Sequence, residues 1–192
     1  MQPYLFPYLG YFQLINAVDK FVICDDVQYI KEGFINRNNV MINKQQHLFT
    51  FSVKKDKRIK LINERYYYEA INKEIKNFYN MITISYKKAK YFNKVFELID
   101  EIFRFKDLNV AKFNFNALKV ICSYIGIDTE FIIASDIPKN NMLRRQDMVL
   151  EINKILKSSI YINAIGGTAL YSKDIFEKNN IKLYFIKTSN IE

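Results

Sequence analysis

Strand-like and helix-like segments alternate through the last third of the chain, and this alternation constrains the fold more than any other feature. Apolar, β-rich runs occupy 130–134, 160–163 and 182–186, while amphipathic helical spacing occupies 147–157 and 172–178. Strands that alternate with helices in this way build a parallel sheet with right-handed crossovers. The sequence therefore predicts an α/β, Rossmann-like fold with a mainly parallel sheet and flanking helices.

The middle of the chain is predicted to be helical, and a hairpin precedes it. Residues 46–53 are β-rich, and the turn 43–45 joins them to 39–42. Apolar residues then recur every three or four positions over 64–88 and 91–105. This spacing predicts two amphipathic helices.

A third helix is predicted to begin at Asn109 and to run to Tyr124, because asparagine caps helix N-termini and Gly126 gives a stop signal. A chain of 192 residues is long enough for one domain around one core. We therefore predict a single α/β domain over 1–192, with a helical insertion at about 64–125.

The first forty residues have the parts of a ligand site. A turn-rich aromatic loop leads into a short amphipathic run, and then into the apolar run 21–24, which ends on Asp25 and Asp26. In open α/β sheets, ligands bind in the crevice beyond the carboxyl ends of the strands. We predict that this stretch forms the active-site half of the protein.

Composition and charge exclude several classes of protein. Hydrophobic residues make up 49% of the chain and aromatic residues 16%, which is typical of a packed core. No apolar run has the length of a membrane span, and no signal-peptide pattern is present, so a soluble cytoplasmic protein is expected. Cys24 and Cys122 lie inside apolar runs and are predicted to be core thiols.

The net charge of +9 admits two interpretations. A basic surface can attract nucleic acid or anionic lipid. The lysines are spread along the chain, however, and only 54–60 is a concentrated cluster, which is typical of a solvated loop or of a local phosphate site. Nucleic-acid binding therefore ranks last among the functions considered.

Several motifs together resemble the WbqC family. They are QPYLFPYLGYF at 2–12, DDVQY at 25–29, NRN at 36–38, YIN at 161–163, IGG at 165–167 and LY at 170–171. Members of that family usually have a few β-forming residues before the first motif and an apolar, helix-rich tail beyond the position of Glu192. This chain is therefore expected to be short at both ends.

The resemblance implies chemistry on a nucleotide-linked sugar or an amino sugar. Members of the family occur among surface-polysaccharide (O-antigen, lipopolysaccharide) biosynthesis enzymes, and some carry a glycine- or amino-acyl-transferase label. The expected function is transfer of an acyl or amino-acyl (glycine) group to such a sugar. The alternative is a non-catalytic protein that binds a nucleotide-sugar or a glycan.

A weaker analogy suggests ATP as a co-substrate. The order of loop, helix and strand in the opening stretch is similar to that of pantothenate-synthetase-like adenylate formers, which have a nucleotidyltransferase-like fold. Aromatic residues stand here where those proteins have histidines, so Arg37, Lys54 and Lys55 would have to neutralise the phosphates. The sequence contains no P-loop and no metal-ligand spacing, and no metal is predicted.

Three residues are the candidate catalytic groups. Asp26 follows the apolar run 21–24, and only one of two adjacent acids on an extended segment faces a site; the alternative role is a cap. Arg37 lies between two asparagines, which suits a sugar or phosphate ligand, although a surface salt bridge is the alternative. His47 is the only histidine and is a candidate general base, or else a half-exposed strand residue.

The candidate substrate-binding residues lie at both ends of the chain. Tyrosines clustered around prolines can stack against a sugar or a base, and Gly166-Gly167 after a strand can bring backbone N–H groups to a phosphate. Other candidates are polar or aromatic residues within the motifs. The full set is Gln2, Tyr4, Tyr8, Tyr11, Gln28, Asn36, Asn38, Asn163, Gly166, Gly167 and Tyr171.

Overall fold

The computed structural model describes residues 1–188. Its strands are β1 (Lys20–Ile23), β2 (Arg37–Ile42), β3 (Gln45–Thr50), β4 (Glu130–Ile133), β5 (Ile160–Ala164) and β6 (Lys182–Ile186). Its α-helices are α1 (Leu9–Asn16), α2 (Ile71–Tyr86), α3 (Phe92–Phe103), α4 (Val110–Tyr124), α5 (Arg145–Ile155) and α6 (Lys173–Lys178). Short 3₁₀ helices lie at Ile62–Glu64, Ala134–Asp136 and Ile165–Leu170.

The residues group into two compact units. The first unit contains Met1–Pro7 and Val22–Asp128, and the second contains Tyr8–Phe21 and Thr129–Glu192. The β2–β3 hairpin and helices α2 to α4 therefore belong to the first unit, while α1, α5, α6 and β4 to β6 belong to the second. That the chain forms a single domain stays a prediction.

The predicted hairpin is confirmed in the first unit. β2 and β3 pair antiparallel, from Arg37 opposite Thr50 to Ile42 opposite Gln45. The two turn residues, Asn43 and Lys44, have φ values of 49° and 64°. Two consecutive residues with positive φ are typical of the type I′ turn, whose twist matches that of the strands it joins.

An aromatic core joins the hairpin to the helices of the first unit. The Phe78 ring on α2 lies 4.7 Å from the Phe49 ring and 5.8 Å from the Phe103 ring, measured between centroids. Phe51 and Phe113 are 1% exposed and lie in the same cluster. Rings in tilted and edge-to-face pairs add to the stabilisation that burial alone provides.

The first predicted helix is shorter than its apolar spacing indicates. Helix α2 begins at Ile71, because the preceding residues take their hydrogen bonds from neighbouring segments. Tyr67 N–H donates to the Leu108 carbonyl at 2.8 Å, and Tyr68 N–H donates to the Ser52 carbonyl at 2.7 Å. Tyr67 is fully buried in this extended segment, so tertiary packing overrides the helical pattern at 64–70.

The ends of α4 follow the predicted signals. Asn109 precedes the helix, and its side-chain oxygen accepts a hydrogen bond from Lys112 N–H at 3.2 Å. Gly126 follows the helix with a φ of +74°, a conformation that glycine adopts without strain. Cys122 is a buried free thiol, as predicted, and burial raises its pKa to about 11.

The second unit contains the parallel pair of strands. β5 and β6 pair parallel, from Ile160 opposite Lys182 to Ala164 opposite Ile186, and α6 lies between them in the chain. The Tyr161 ring stacks on the Phe176 ring of α6 at 5.4 Å. β1 pairs with β4 in another sheet. The α/β class is thus confirmed, although each sheet within 1–188 has two strands and is smaller than a doubly wound sheet.

Within residues 1–188, none of the helices combines the length and the apolar composition needed to span a membrane.

Candidate functional site

Buried Asn36 and half-buried Tyr29 form a hydrogen-bonded pair in the first unit. The Asn36 amide nitrogen donates to the Phe51 carbonyl at 2.8 Å, and its oxygen accepts from the Tyr29 hydroxyl at 2.7 Å. Burial raises the pKa of Tyr29, and the positive charges of Arg65 and Arg37 oppose this shift. The Asn36 amide therefore fastens the start of β2 to the segment that follows β3.

Arg37 closes the loop that precedes β2. Its Nε donates to the Gly33 carbonyl at 3.1 Å, and its Nη2 donates to the Glu32 carbonyl. The side chain is half-buried. These bonds fix the plane of the guanidinium group and use two of its five N–H donors, so the rest of the fork can bind an anion.

Asn38 joins two of the sequence motifs. Its amide nitrogen donates to the Phe6 carbonyl, and its oxygen accepts from Asn39 N–H at 2.8 Å. Phe6 has a φ of 49°, which is unusual for a bulky residue that precedes a proline. Such a backbone persists only where its surroundings hold it, and the Asn38 bond to Phe6 is one of the interactions that do so.

The paired acids differ in their surroundings. Asp25 is 5% exposed, and its side chain accepts from the Asn63 amide at 3.1 Å, while its backbone carbonyl accepts from Asn63 N–H at 3.0 Å. Asp26 is half-buried. Asp25 is thus tied to the 3₁₀ helix at Ile62–Glu64 through Asn63, and Asp26 stays the predicted ligand-facing acid.

Gln28 and Arg65 organise the basic segment 54–60. The Gln28 amide donates to the Arg58 carbonyl at 3.0 Å. Arg65 is 8% exposed, and its guanidinium donates to the carbonyls of Lys54 at 2.9 Å and of Lys57 at 3.4 Å. The segment is therefore held at its carbonyls by a buried cation. Sequence reasoning missed Arg65, because nothing local marks it as buried.

The charges of the basic segment are partly neutralised. Lys54 pairs with Glu69 at 2.7 Å, and this hydrogen bond lowers the pKa of Glu69. Lys60 pairs with Glu64 at 3.4 Å. Lys55 is exposed. Lys54, one of the residues expected to meet phosphates, is thus engaged with a carboxylate.

Buried Asn114 is a second residue that the sequence did not single out. It lies on α4 at 0% exposure, donates to the carbonyls of Pro3 at 2.9 Å and Ile35 at 2.7 Å, and accepts from the Tyr67 hydroxyl at 2.7 Å. The opening motif is therefore anchored to α4 at Pro3. The sequence did contain a signal for this role, since Asn114 lies on the apolar face of the predicted helix.

The remaining candidates of the first unit are His47, Tyr4 and Gln2. His47 is exposed on β3 opposite Val40. Tyr4 is half-buried, with its ring 6.5 Å from the Phe34 ring, and Gln2 is also half-buried.

Two tyrosines of the opening motif belong to the second unit. Tyr11 lies on α1 at 0% exposure, with its ring 5.5 Å from the Phe21 ring, which is a core position. Tyr8 is 54% exposed just before α1. A Cβ atom at Gly10 would lie 2.7 Å from the Tyr8 ring and would also contact Thr188, so glycine is needed at this close approach.

The second unit brings three candidates together at the end of β5. The Asn163 amide nitrogen donates to the Tyr161 hydroxyl at 3.0 Å, and its oxygen accepts from Ala164 N–H at 2.7 Å. A Cβ atom at Gly167 would lie 3.1 Å from the Asn163 nitrogen and 3.4 Å from the Tyr171 ring. Gly166 faces open space, since a Cβ atom there would meet nothing within 4 Å.

Comparison with known proteins places the chain in a family. The model of the WbqC-like protein family matches residues 2–192. A curated relative named "Uncharacterized protein Rv1507c", from Mycobacterium tuberculosis, is 28% identical over 131 residues, which cover 64% of this chain and 53% of the relative. The chain thus spans about half the length of that relative, and no solved structure gives a significant match. Because the family match runs over nearly every residue, the chain belongs to the WbqC-like protein family.

Proposed function

We propose that this protein is a cytoplasmic transferase of surface-polysaccharide (O-antigen) biosynthesis that attaches an acyl or amino-acyl group, glycine in particular, to an amino sugar or a nucleotide-linked sugar. Membership of the WbqC-like family supports the proposal, because the resemblance implies chemistry on such sugars.

The placement of Arg37 is the observation that carries the proposal. Its guanidinium is held by the carbonyls of Glu32 and Gly33, and the flanking amides of Asn36 and Asn38 bond to the carbonyls of Phe51 and Phe6. An arginine oriented before a ligand arrives loses little freedom on binding and can hold a phosphate or carboxylate through two parallel N–H bonds. We assign Arg37 to the anion and the two asparagines to positioning.

With ATP as co-substrate, the reaction balances in two steps. A carboxylate oxygen of the donor attacks the α-phosphorus of ATP, and pyrophosphate leaves. The amine of the sugar then attacks the activated carbonyl, AMP leaves, and the amine releases a proton as the amide forms. Asp26 is the candidate base for that proton, because His47 is exposed on β3.

A ligand screen followed by a turnover assay tests the proposal. Purified protein is first screened by thermal shift with ATP and with uridine- and thymidine-diphosphate amino sugars, because a specific ligand raises Tm by mass action. The ligands that raise Tm are then incubated with glycine and protein, and mass spectrometry detects a sugar that is heavier by one glycyl residue. Binding without any such product would instead support the non-catalytic alternative.

Arg37→Ala is expected to lose the thermal shift and the product while Tm of the free protein stays nearly unchanged. Arg58→Ala is the matched control. Arg58 is exposed, and Gln28 bonds only to its backbone carbonyl, which the substitution keeps, so this variant should behave as wild type. A large drop in the Tm of Arg37→Ala would reassign this residue to structure.

A further inference from the structure

The first unit contains an apolar cavity, and none of the candidate site residues is among its lining residues within 1–188. It has a volume of about 380 Å³ and lies between the β2–β3 hairpin and helices α2 and α3. Five phenylalanine rings form much of its wall: Phe6, Phe49, Phe78, Phe92 and Phe96. Ligand pockets of proteins are lined in this way, mainly by apolar and aromatic side chains with a few polar groups.

The mouth of the cavity carries the polar groups. Lys90, in the short connection between α2 and α3, is the one charged side chain among the lining residues that the structure describes, and it is exposed. The Tyr86 hydroxyl accepts from Met41 N–H at 2.9 Å, which leaves its own proton for another acceptor. Asn39 also lines the cavity. The mouth thus presents an ammonium group and hydrogen-bond donors.

We propose that this cavity binds a medium-chain aliphatic carboxylic acid, with the chain among the phenylalanine rings and the carboxylate at Lys90. The apolar wall matches the chain, and the single positive charge matches one anionic head group. Its volume is at the lower end of the usual range for ligand pockets, roughly 300–1,000 Å³, which suits a medium chain rather than a membrane lipid. The cavity binds such an acid whether or not the protein transfers a group to a sugar.

The strained opening motif strengthens this assignment. Phe6 holds a φ of 49° while its ring stacks on Phe78 at 5.5 Å and lines the cavity. The Asn38 amide bonds to the Phe6 carbonyl, so the wall of the cavity is fixed before a ligand enters. A rigid apolar cavity binds without first being ordered, which favours affinity.

A chain-length series tests the proposal directly. Hexanoate, octanoate, decanoate and dodecanoate are titrated into the protein below their micelle concentrations, with octanol and octylamine as head-group controls. Affinity is expected to rise about fourfold with each added methylene until the chain fills the cavity, and then to level or fall. Octanoate should bind more tightly than octanol, and octylamine least tightly, because of Lys90.

Two variants locate the bound acid. Ala89 is exposed and lines the cavity, so Ala89→Trp should fill the mouth and abolish binding without a change in folding. Lys90→Ala should remove the preference for octanoate over octanol. Lys88→Ala, an exposed lysine in the same connection, is the matched control and should keep both the affinity and the preference.

Three results would overturn the proposal. The first is affinity that does not depend on chain length, and the second is unchanged binding by Ala89→Trp. The third is light scattering that shows a dimer which Ala89→Trp dissociates, because a second copy of the chain would then cover the cavity. None of these results depends on glycyl transfer, so this proposal and the transferase proposal can fail separately.

Discussion

The two compact units hold their motif residues in different ways. In the first unit, amide groups reach far along the chain: Asn114 bonds to the carbonyl of Pro3, 111 residues away, and Asn36 to that of Phe51, 15 residues away. In the second unit, the Asn163 amide bonds to Tyr161 and Ala164, which lie within two residues. The motifs of the first unit thus depend on the whole fold of that unit, while those of the second depend on local geometry.

This difference changes how the polar motif residues are interpreted. A long-range bond from an amide to a backbone carbonyl fixes one segment against another, and its loss leaves buried polar groups without partners. A local bond orients one side chain at the end of one strand. Substitutions of the long-range amides Asn36 and Asn114 should therefore lower stability strongly, while substitutions at the end of β5 should cost less and act through the local packing there.

Asn114→Ala is expected to have the largest effect. It removes both donors and the acceptor at a fully buried position, so the Tyr67 hydroxyl and the Pro3 carbonyl lose this partner, and the Ile35 carbonyl keeps only its bond from Leu5 N–H at 3.2 Å. We expect the free energy of unfolding to fall by about 3 kcal/mol, measured by urea denaturation. Asn116→Ala, on the same helix but half-exposed, is the control and should change it by less than about 0.5 kcal/mol. Equal losses of stability in Asn114→Ala and Asn116→Ala would mean that the buried long-range bonds of Asn114 are not the cause.

The two adjacent glycines of the second unit test the local arrangement. In Gly167→Ala the new methyl group would lie 3.1 Å from the Asn163 nitrogen, whereas in Gly166→Ala it would meet nothing within 4 Å. We expect a loss of about 1–3 kcal/mol for Gly167→Ala and less than about 0.5 kcal/mol for Gly166→Ala. Thermal unfolding of both variants measures the difference. A tolerant Gly167 would mean that the end of β5 adapts freely.

The alkaline limit of stability should arise from the first unit. Burial raises the pKa of Tyr67 far above its usual range and also raises that of Tyr29. The unfolded chain then releases these protons at lower pH than the folded chain does, so stability is retained below pH about 10 and falls as pH rises beyond it. The slope can reach about 1.4 kcal/mol per pH unit for each group.

Two single variants separate this effect from general alkaline sensitivity. Tyr67→Phe should make the decline above pH about 10 less steep, although it also removes the hydrogen bond to Asn114. Tyr68→Phe changes the neighbouring tyrosine, which is 56% exposed, and should leave the slope as in wild type. The measurement is the free energy of unfolding in urea across a pH series. Parallel curves for all three proteins would exclude Tyr67 as the cause.

Local signals in the sequence predicted much of the fold. The strand β6 has the predicted bounds, and α4 has the predicted cap at Asn109, because apolar spacing and capping act within a few residues. The predicted helix over 64–88 was too long, because Tyr67 is drawn into the core and its N–H bonds to Leu108, 41 residues onward. Hydrophobic periodicity is a local signal and does not indicate a hydrogen-bond partner so far along the chain.

The candidate site was predictable as a set of motifs, but the roles of its members were not. The spacing of Asn36, Arg37 and Asn38 indicated a polar group that suits a ligand, and the structure adds that both amides bond to backbone carbonyls. A side-chain amide suits a sugar and a carbonyl equally well, so only the fold decides its partner. Arg65 was missed for the same reason, since its acceptors lie in a loop 8 and 11 residues away.

The surface ion pair of the basic segment is expected to matter least for stability. Lys54 and Glu69 are 2.7 Å apart, but their side chains are 43% and 80% exposed, and water screens such pairs. The Lys54 hydrogen bond lowers the pKa of Glu69, so the pair stabilises the fold above the ordinary pKa of glutamate and loses that effect as pH falls. In Lys54→Met the Glu69 carboxyl, followed by NMR, should titrate nearer its ordinary pKa while Tm stays unchanged. Lys55→Met is the matched control and should leave the Glu69 titration where it is. A clear drop in Tm for Lys54→Met alone would mean that the ion pair, and not only buried Arg65, holds this segment in place.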